Sequence, residues 1–113
     1  MNPKYKQDWI DALRSDKYKQ GKGRLCSDEG FCCLGVLCDV KDPSKWTKLS
    51  AMRKPIGTSK YMWSKDAWMV YGLGKDQMEE LDITPEQHDK LIELNDDFGY
   101  NFERIADYIE ENL

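Results

Sequence analysis

Arg14, Lys17, Lys19, Lys22 and Arg24 fall within eleven residues, interleaved with Tyr18, Gln20 and the glycines Gly21 and Gly23. A guanidinium grips a phosphate through two parallel N–H···O bonds, and an aromatic ring stacks on any nucleobase. A side-chain amide reads a base edge through its paired donor and acceptor. The run therefore holds the parts of a small-anion site. Arg14, Lys22 and Arg24 would hold phosphate, Tyr18 would stack, and Gln20 or Asn95 would contact base or ribose. The plainer alternative makes Trp9 core, Tyr18 half-buried and the lysines a solvated hairpin. Gly21-x-Gly23 decides nothing by itself: the strand and helix context of a dinucleotide fingerprint is missing, and so is a Walker lysine.

The four cysteines are spaced Cys26-x5-Cys32-Cys33-x4-Cys38. Structural zinc prefers pairs two to four residues apart, converging from two knuckles. Adjacent Cys32 and Cys33 diverge in a helix or a strand, so the expectation is buried free thiols with no metal. Catalysis has little to stand on. The one histidine, His88, sits in the first turn of a well-capped helix, and the carboxylates of the second half fall at solvent-face spacing. The reading is therefore a non-enzyme without a cofactor.

Two local motifs fail on inspection. Setting Gly99 at the sixth place of a calcium loop puts Leu94, Phe98 and Ile105 at ligand positions. The stretch from Gly99 to Ala106 has helix-turn-helix character, but no recognition helix follows and the segment is acidic.

The elements that must position these residues follow from caps and periodicity. Asn2 and Pro3 begin a helix over about residues 4–15, with Tyr5, Trp9, Ala12 and Leu13 on its apolar face. Lys19 to Cys26 reads as extended, and residues 27–30 as the turn of a short hairpin ahead of Phe31. Cys33, Leu34, Leu37 and Cys38 form the stripe of a buried helix reaching about Val40, with Gly35 placed for close backbone approach. Residues 41–62 form a long connection, with short strands around Trp46 and Tyr61. Ser64 caps a helix containing Trp68 and Met69, ending near Gly72 or Gly74. Thr84-Pro85-Glu86-Gln87 makes a capping box for a helix to about Asn95, and Asn101 caps a last one through Leu113. The expected fold is α+β: one small, mostly helical domain spanning 1–113. It has about four helices, a short β-hairpin and a C-terminal αα-hairpin.

With 113 residues, 40% of them apolar, the chain can bury a core. Its longest apolar run, Phe31 to Leu37, is too short to cross a bilayer. No signal peptide is visible, which together with free thiols predicts a cytosolic protein. Residues 1–60 carry 13 Lys/Arg against 7 Asp/Glu, and residues 61–113 carry 4 against 14, opposite balances behind the net −4. A long nucleic acid would meet the acidic half, so the expected partner is a small anion. Two copies could also pair basic half to acidic half.

The run Trp9-x-x-Ala12-Leu13-Arg14-Ser15-x-x-Tyr18-x-Gln20, with Cys32-Cys33-Leu34-Gly35-Val36-Leu37-Cys38-Asp39, resembles a family of small proteins encoded by bacteriophages and prophages. Leu94-Asn95-Asp96 and Phe102-x-x-Ile105-Ala106-Asp107-x-Ile109-Glu110 resemble the same family, while residues 41–80 match poorly. One departure is Asp16, where the pattern usually has glycine. The resemblance is to viral sponge proteins, which counter CBASS immunity by sequestering cyclic nucleotide signals without cleaving them. It implies a homodimer in the host bacterial cytosol that binds a cyclic dinucleotide in preformed pockets. The expected function is that of a phage anti-defence protein. The alternative is an inhibitor or adaptor acting on a host protein through Trp46, Trp63 and Trp68; an uncharacterised enzyme comes third.

Overall fold

The computed structural model describes residues 1–27, 29–48, 61–62 and 72–113. Asn2 accepts a hydrogen bond from the Lys4 N–H at 3.0 Å and Pro3 takes the first helical position, so α1 runs Pro3–Arg14. Trp9, Ile10 and Leu13 are its buried face. Past the helix, Asp16 adopts φ 62°. This is the left-handed region that favours glycine, the residue expected here, and aspartate is one of the few others to tolerate it.

Residues 19–21 then run alongside Phe31. The Phe31 N–H donates to the Lys19 carbonyl at 2.8 Å, and the Gly21 N–H donates to the Phe31 carbonyl at 2.7 Å. The hairpin ahead of the buried helix is short: β1 (Cys26–Ser27) pairs antiparallel with β2 (Gly30–Phe31), Cys26 opposite Phe31. Helix α2 (Cys33–Lys41) follows, with Cys33 to Cys38 all buried, as befits a helix apolar on every side at the centre of the fold. The expected close approach occurs at Gly35, where a Cβ would lie 1.7 Å from the Leu25 carbonyl oxygen. Strands β3 (Thr47–Lys48) and β4 (Tyr61–Met62) pair antiparallel where short strands are expected.

The helix expected around Trp68 and Met69 lies outside the described residues. Gly74, read as its end, instead caps the start of α3 (Lys75–Leu81), which closes at Asp82 with φ 54°. Helix α4 (Pro85–Asp96) carries the expected capping box: Thr84 Oγ1 accepts from the Gln87 N–H at 3.1 Å, and Gln87 Oε1 accepts from the Thr84 N–H at 3.0 Å. Helix α5 (Phe102–Asn112) starts on Asn101, whose Oδ1 accepts from the Arg104 N–H at 2.9 Å.

Helix α1 packs against both α5 and α2, and α4 packs against α2 and α5. A single core cluster joins them, from Trp9 and Leu34 to Leu91 and Ile109. The Trp9 indole N–H donates to the Cys33 carbonyl at 2.9 Å, pinning α1 onto the start of α2. The fold is α+β and mostly helical, with the hairpin and the α4–α5 pair as expected; the described residues hold five α-helices, the fifth being α3. No helix among the described residues is long and apolar enough to cross a membrane.

Candidate functional site

The end of α1, the loop after it and the first turn of α5 enclose an open groove of about 480 Å³, within the size range of small-molecule sites. Arg14, Asp16, Tyr18, Gln20, Asn101 and Glu103 supply its polar lining, and Leu13 and Phe102 its apolar part. Three of the six residues singled out by sequence thus meet in one place: Arg14, Tyr18 and Gln20.

Each is held by a different element. Arg14 ends α1, and its Nη2 donates to Asp107 Oδ1 at 2.7 Å and to Glu110 Oε2 at 2.6 Å on α5. Glu110 and then Asp107 push the guanidinium further up from its already high pKa, so it is always charged. Both bonds leave from Nη2, so the Nε and Nη1 hydrogens remain for another partner. Tyr18 donates its hydroxyl to Asp39 Oδ2 at 2.6 Å, while Phe31 meets its ring edge-to-face at 5.1 Å. Burial, and then Asp39, push the phenol up to about 12, so it stays a donor. Gln20 is aimed by its backbone, which forms a parallel bridge with Phe31. Its Nε2 donates to Asn95 Oδ1 at 2.9 Å and to the Tyr100 carbonyl at 2.8 Å, and Oε1 has no partner among the described residues.

Asn95 sits behind the groove. It is fully buried, and its amide is saturated. Oδ1 accepts from Gln20 and from the Cys33 N–H at 3.3 Å, and Nδ2 donates to the Gly21 carbonyl at 2.9 Å and to Asp96 Oδ1 at 2.8 Å. With both lone pairs and both hydrogens used, Asn95 reaches a ligand through Gln20 alone. Lys22 and Arg24 do not line the groove. Lys22 is exposed on the next loop, whereas Arg24 is half-buried, with its Nε a buried donor without a hydrogen-bond partner among the described residues.

Asp39, Asp16 and Glu103 escaped the sequence reading. Asp39 closes the Cys32–Asp39 run, and its separation of 21 residues from Tyr18 gives no sign that the two meet. It also accepts from Trp46 Nε1 at 3.0 Å, and the Trp46 ring lies 5.9 Å from Phe31. Trp46 is therefore a packed, half-buried residue and not an exposed anchor; Trp63 and Trp68 lie outside the described residues.

The interior claims the remaining reactive groups. The Leu73 N–H donates to His88 Nε2 at 2.9 Å, which leaves the ring proton on Nδ1, 2.9 Å from Asp89 Oδ1. None of the four cysteines forms a disulfide, and all four are buried. Burial pushes the Cys32 thiol up to about 12, and burial likewise raises Cys33 and Cys38. Thiolate is the reactive form. A thiol reagent is therefore expected to label the native protein only as fast as it unfolds and to count four cysteines at once in denaturant; rapid labelling of a folded sample would refute this. Among the described residues, no three His, Cys, Asp or Glu side chains are placed to share a metal ion.

A family model described as a domain of unknown function, DUF8296, matches residues 1–113. Among curated proteins and solved structures, none matches the chain.

Proposed function

Because the chain belongs to the DUF8296 family over residues 1–113, a description that carries no activity, we propose its function from the groove. The protein is a non-catalytic binder that takes up a cyclic dinucleotide and holds it intact. In the setting that the sequence resemblance implies, a phage-encoded homodimer would withhold an immune signal from its receptor in the host cytosol. One observation carries the binding reading: Arg14, Tyr18 and Gln20 converge on a single groove that Leu13 and Phe102 also line. The unspent Nε and Nη1 hydrogens of Arg14 take phosphate oxygens, the Tyr18 ring offers a stacking face, and Gln20 meets a base or ribose. Capture without turnover fits a chain whose thiols and His88 are engaged in the interior.

Arg14 sets one positive charge against the two carboxylates of Asp107 and Glu110, so phosphate recognition here rests on oriented N–H donors and not on a net positive field. That sets a sign. Removing Glu110 as Glu110→Gln should tighten a phosphodiester ligand several-fold, and Arg14→Ala should weaken it by at least about tenfold, the usual scale of a charge-assisted bond. Exposed ion pairs add little stability, so both variants should melt near the parent.

Calorimetry with cyclic di- and trinucleotides, followed by heat release and chromatography of the ligand, tests the whole reading. Intact recovered ligand is the expected result. Chemically altered ligand would make the protein an enzyme, and no heat with any cyclic nucleotide would overturn the proposal. Light scattering should report twice the chain mass.

A further inference from the structure

The groove discriminates between bases, and it does so through what its side chains have left unspent. The Tyr18 hydroxyl is committed to Asp39, and both Gln20 amide hydrogens are committed to Asn95 and Tyr100. These bonds cannot be traded cheaply. Asn95 is fully buried, so releasing Gln20 Nε2 would leave an acceptor unsatisfied in the interior. With Nε2 turned inward, Gln20 has only Oε1 to offer. Asp16 and Glu103 stand on the same lining, and neither carboxylate has a hydrogen-bond or ion-pair partner among the described residues. The remaining side-chain donors in the groove are the Nε and Nη1 hydrogens of Arg14 and the Asn101 amide. The part of the groove bounded by Asp16, Gln20 and Glu103 is thus a set of acceptors waiting for donors.

Resting on the nucleotide reading above, the geometry points to a guanine base in this part of the groove, with the adjoining phosphate on Arg14. Guanine is the one common base whose Watson–Crick edge carries two adjacent donors, N1–H and the N2 amine. A single carboxylate accepts both in a planar, bidentate pair. Adenine, cytosine and uracil each present a ring or carbonyl acceptor on that edge, which a carboxylate repels. Gln20 Oε1 offers a further acceptor to the N2 amine. A correctly paired bidentate contact discriminates between bases by about 10- to 100-fold. A purely electrostatic anion site, which the basic run in the sequence would make, has no such preference.

The test compares cyclic di-GMP, cyclic di-AMP and cyclic di-IMP by calorimetry on the full chain. Cyclic di-IMP keeps N1–H and lacks the amine. The expected order is cyclic di-GMP tightest, cyclic di-IMP weaker, and cyclic di-AMP weaker than cyclic di-GMP by about 10-fold or more. In a double variant, Asp16→Asn with Glu103→Gln, that ratio should fall toward one. Asn still accommodates the left-handed backbone at position 16, and an unchanged melting temperature checks the fold. Equal affinity for the guanine and adenine ligands would overturn the inference and leave cyclic dinucleotide capture standing. A guanine preference that survives in the double variant would also overturn it, by removing the carboxylates from recognition. No binding of any of the three would take both proposals down.

Discussion

Gly35→Ala is expected to cause a larger loss of stability than a methyl added at any other glycine among the described residues. The new Cβ would sit 1.7 Å from the Leu25 carbonyl oxygen and 2.6 Å from its carbon, both backbone atoms. Neither side can yield easily. Gly35 lies in the first turns of α2, flanked by fully buried Leu34 and Val36, and Leu25 is itself fully buried. The same Leu25 oxygen accepts from the Cys32 N–H at 3.2 Å, so moving it away loosens the base of the hairpin and the start of α2 together. Overpacking a core typically costs about 1–3 kcal/mol, and a backbone clash of this depth belongs at or beyond the top of that range. For a domain of this size that corresponds to a fall of roughly 10 °C or more in Tm. Gly23→Ala is the control: its φ is +79°, but nothing lies within 4 Å of the added atom, so only the left-handed backbone penalty of about 1 kcal/mol applies. Thermal melts followed by circular dichroism rank the two, and a Gly35→Ala protein that melts within a few degrees of the parent would refute the packing account.

Asn95→Leu is expected to be nearly as damaging, for a different reason. Leucine fills a similar volume, so the loss is of hydrogen bonds and not of packing. The Cys33 N–H and the Gly21 carbonyl would each lose a buried partner, and the Gln20 amide would lose one of its two anchors. An unsatisfied buried group costs about 1–3 kcal/mol, so a total of about 3–5 kcal/mol follows. Asn95→Asp separates the donor from the acceptor half of this role. Its two oxygens can still accept from Gln20 and Cys33. Where Nδ2 donated, however, an ionised carboxylate would face the Gly21 carbonyl and the Asp96 carboxylate. Burial and these neighbours raise the carboxyl pKa in the folded state. The penalty relative to the parent is therefore largest above that pKa and shrinks as the pH falls through it, because the protonated acid can donate to Gly21. Denaturant melts of the parent, the Leu variant and the Asp variant at neutral and mildly acidic pH measure this. A pH-independent gap between the Asp variant and the parent would show that the donor is dispensable.

Both predictions also bear on the groove. Asn95 touches no ligand in the proposed arrangement, but it alone among side chains decides which end of the Gln20 amide faces outward. Releasing it would let Gln20 flip, presenting a donor where the guanine reading needs an acceptor. Loss of base preference in an Asn95 variant that still folds would be the signature of that positioning role.

Local chemistry was written plainly in the chain. The starts of α1, α4 and α5 are set by Asn2-Pro3, Thr84-Pro85 with Gln87, and Asn101, because a cap bonds to N–H groups two or three residues away. The central place of α2 follows from an unbroken apolar run, and Gly35 marks a close contact before its partner is known. Even Asp16 is informative, since a position expected to be glycine turns out to need a left-handed backbone. Periodicity did less well at α3, whose seven residues are too few to establish a stripe.

What only the tertiary structure decided is which of the candidate groups are free to bind. Arg14 and Arg24 look alike in sequence, yet one faces a groove with its Nε and Nη1 hydrogens unspent and the other tucks its Nε inside. The carboxylates that hold Arg14 lie 93 and 96 residues further along, and Asn95 meets Gln20 across 75 residues. Hydrogen-bond partners at such separations are chosen by the packing of α1 against α5 and of α2 against α4. No cap, stripe or spacing within one segment carries that information. The basic run from Arg14 to Arg24 thus pointed to the neighbourhood of the proposed site from residue chemistry alone. Whether that neighbourhood offers donors or acceptors was settled by bonds that form only when the helices meet.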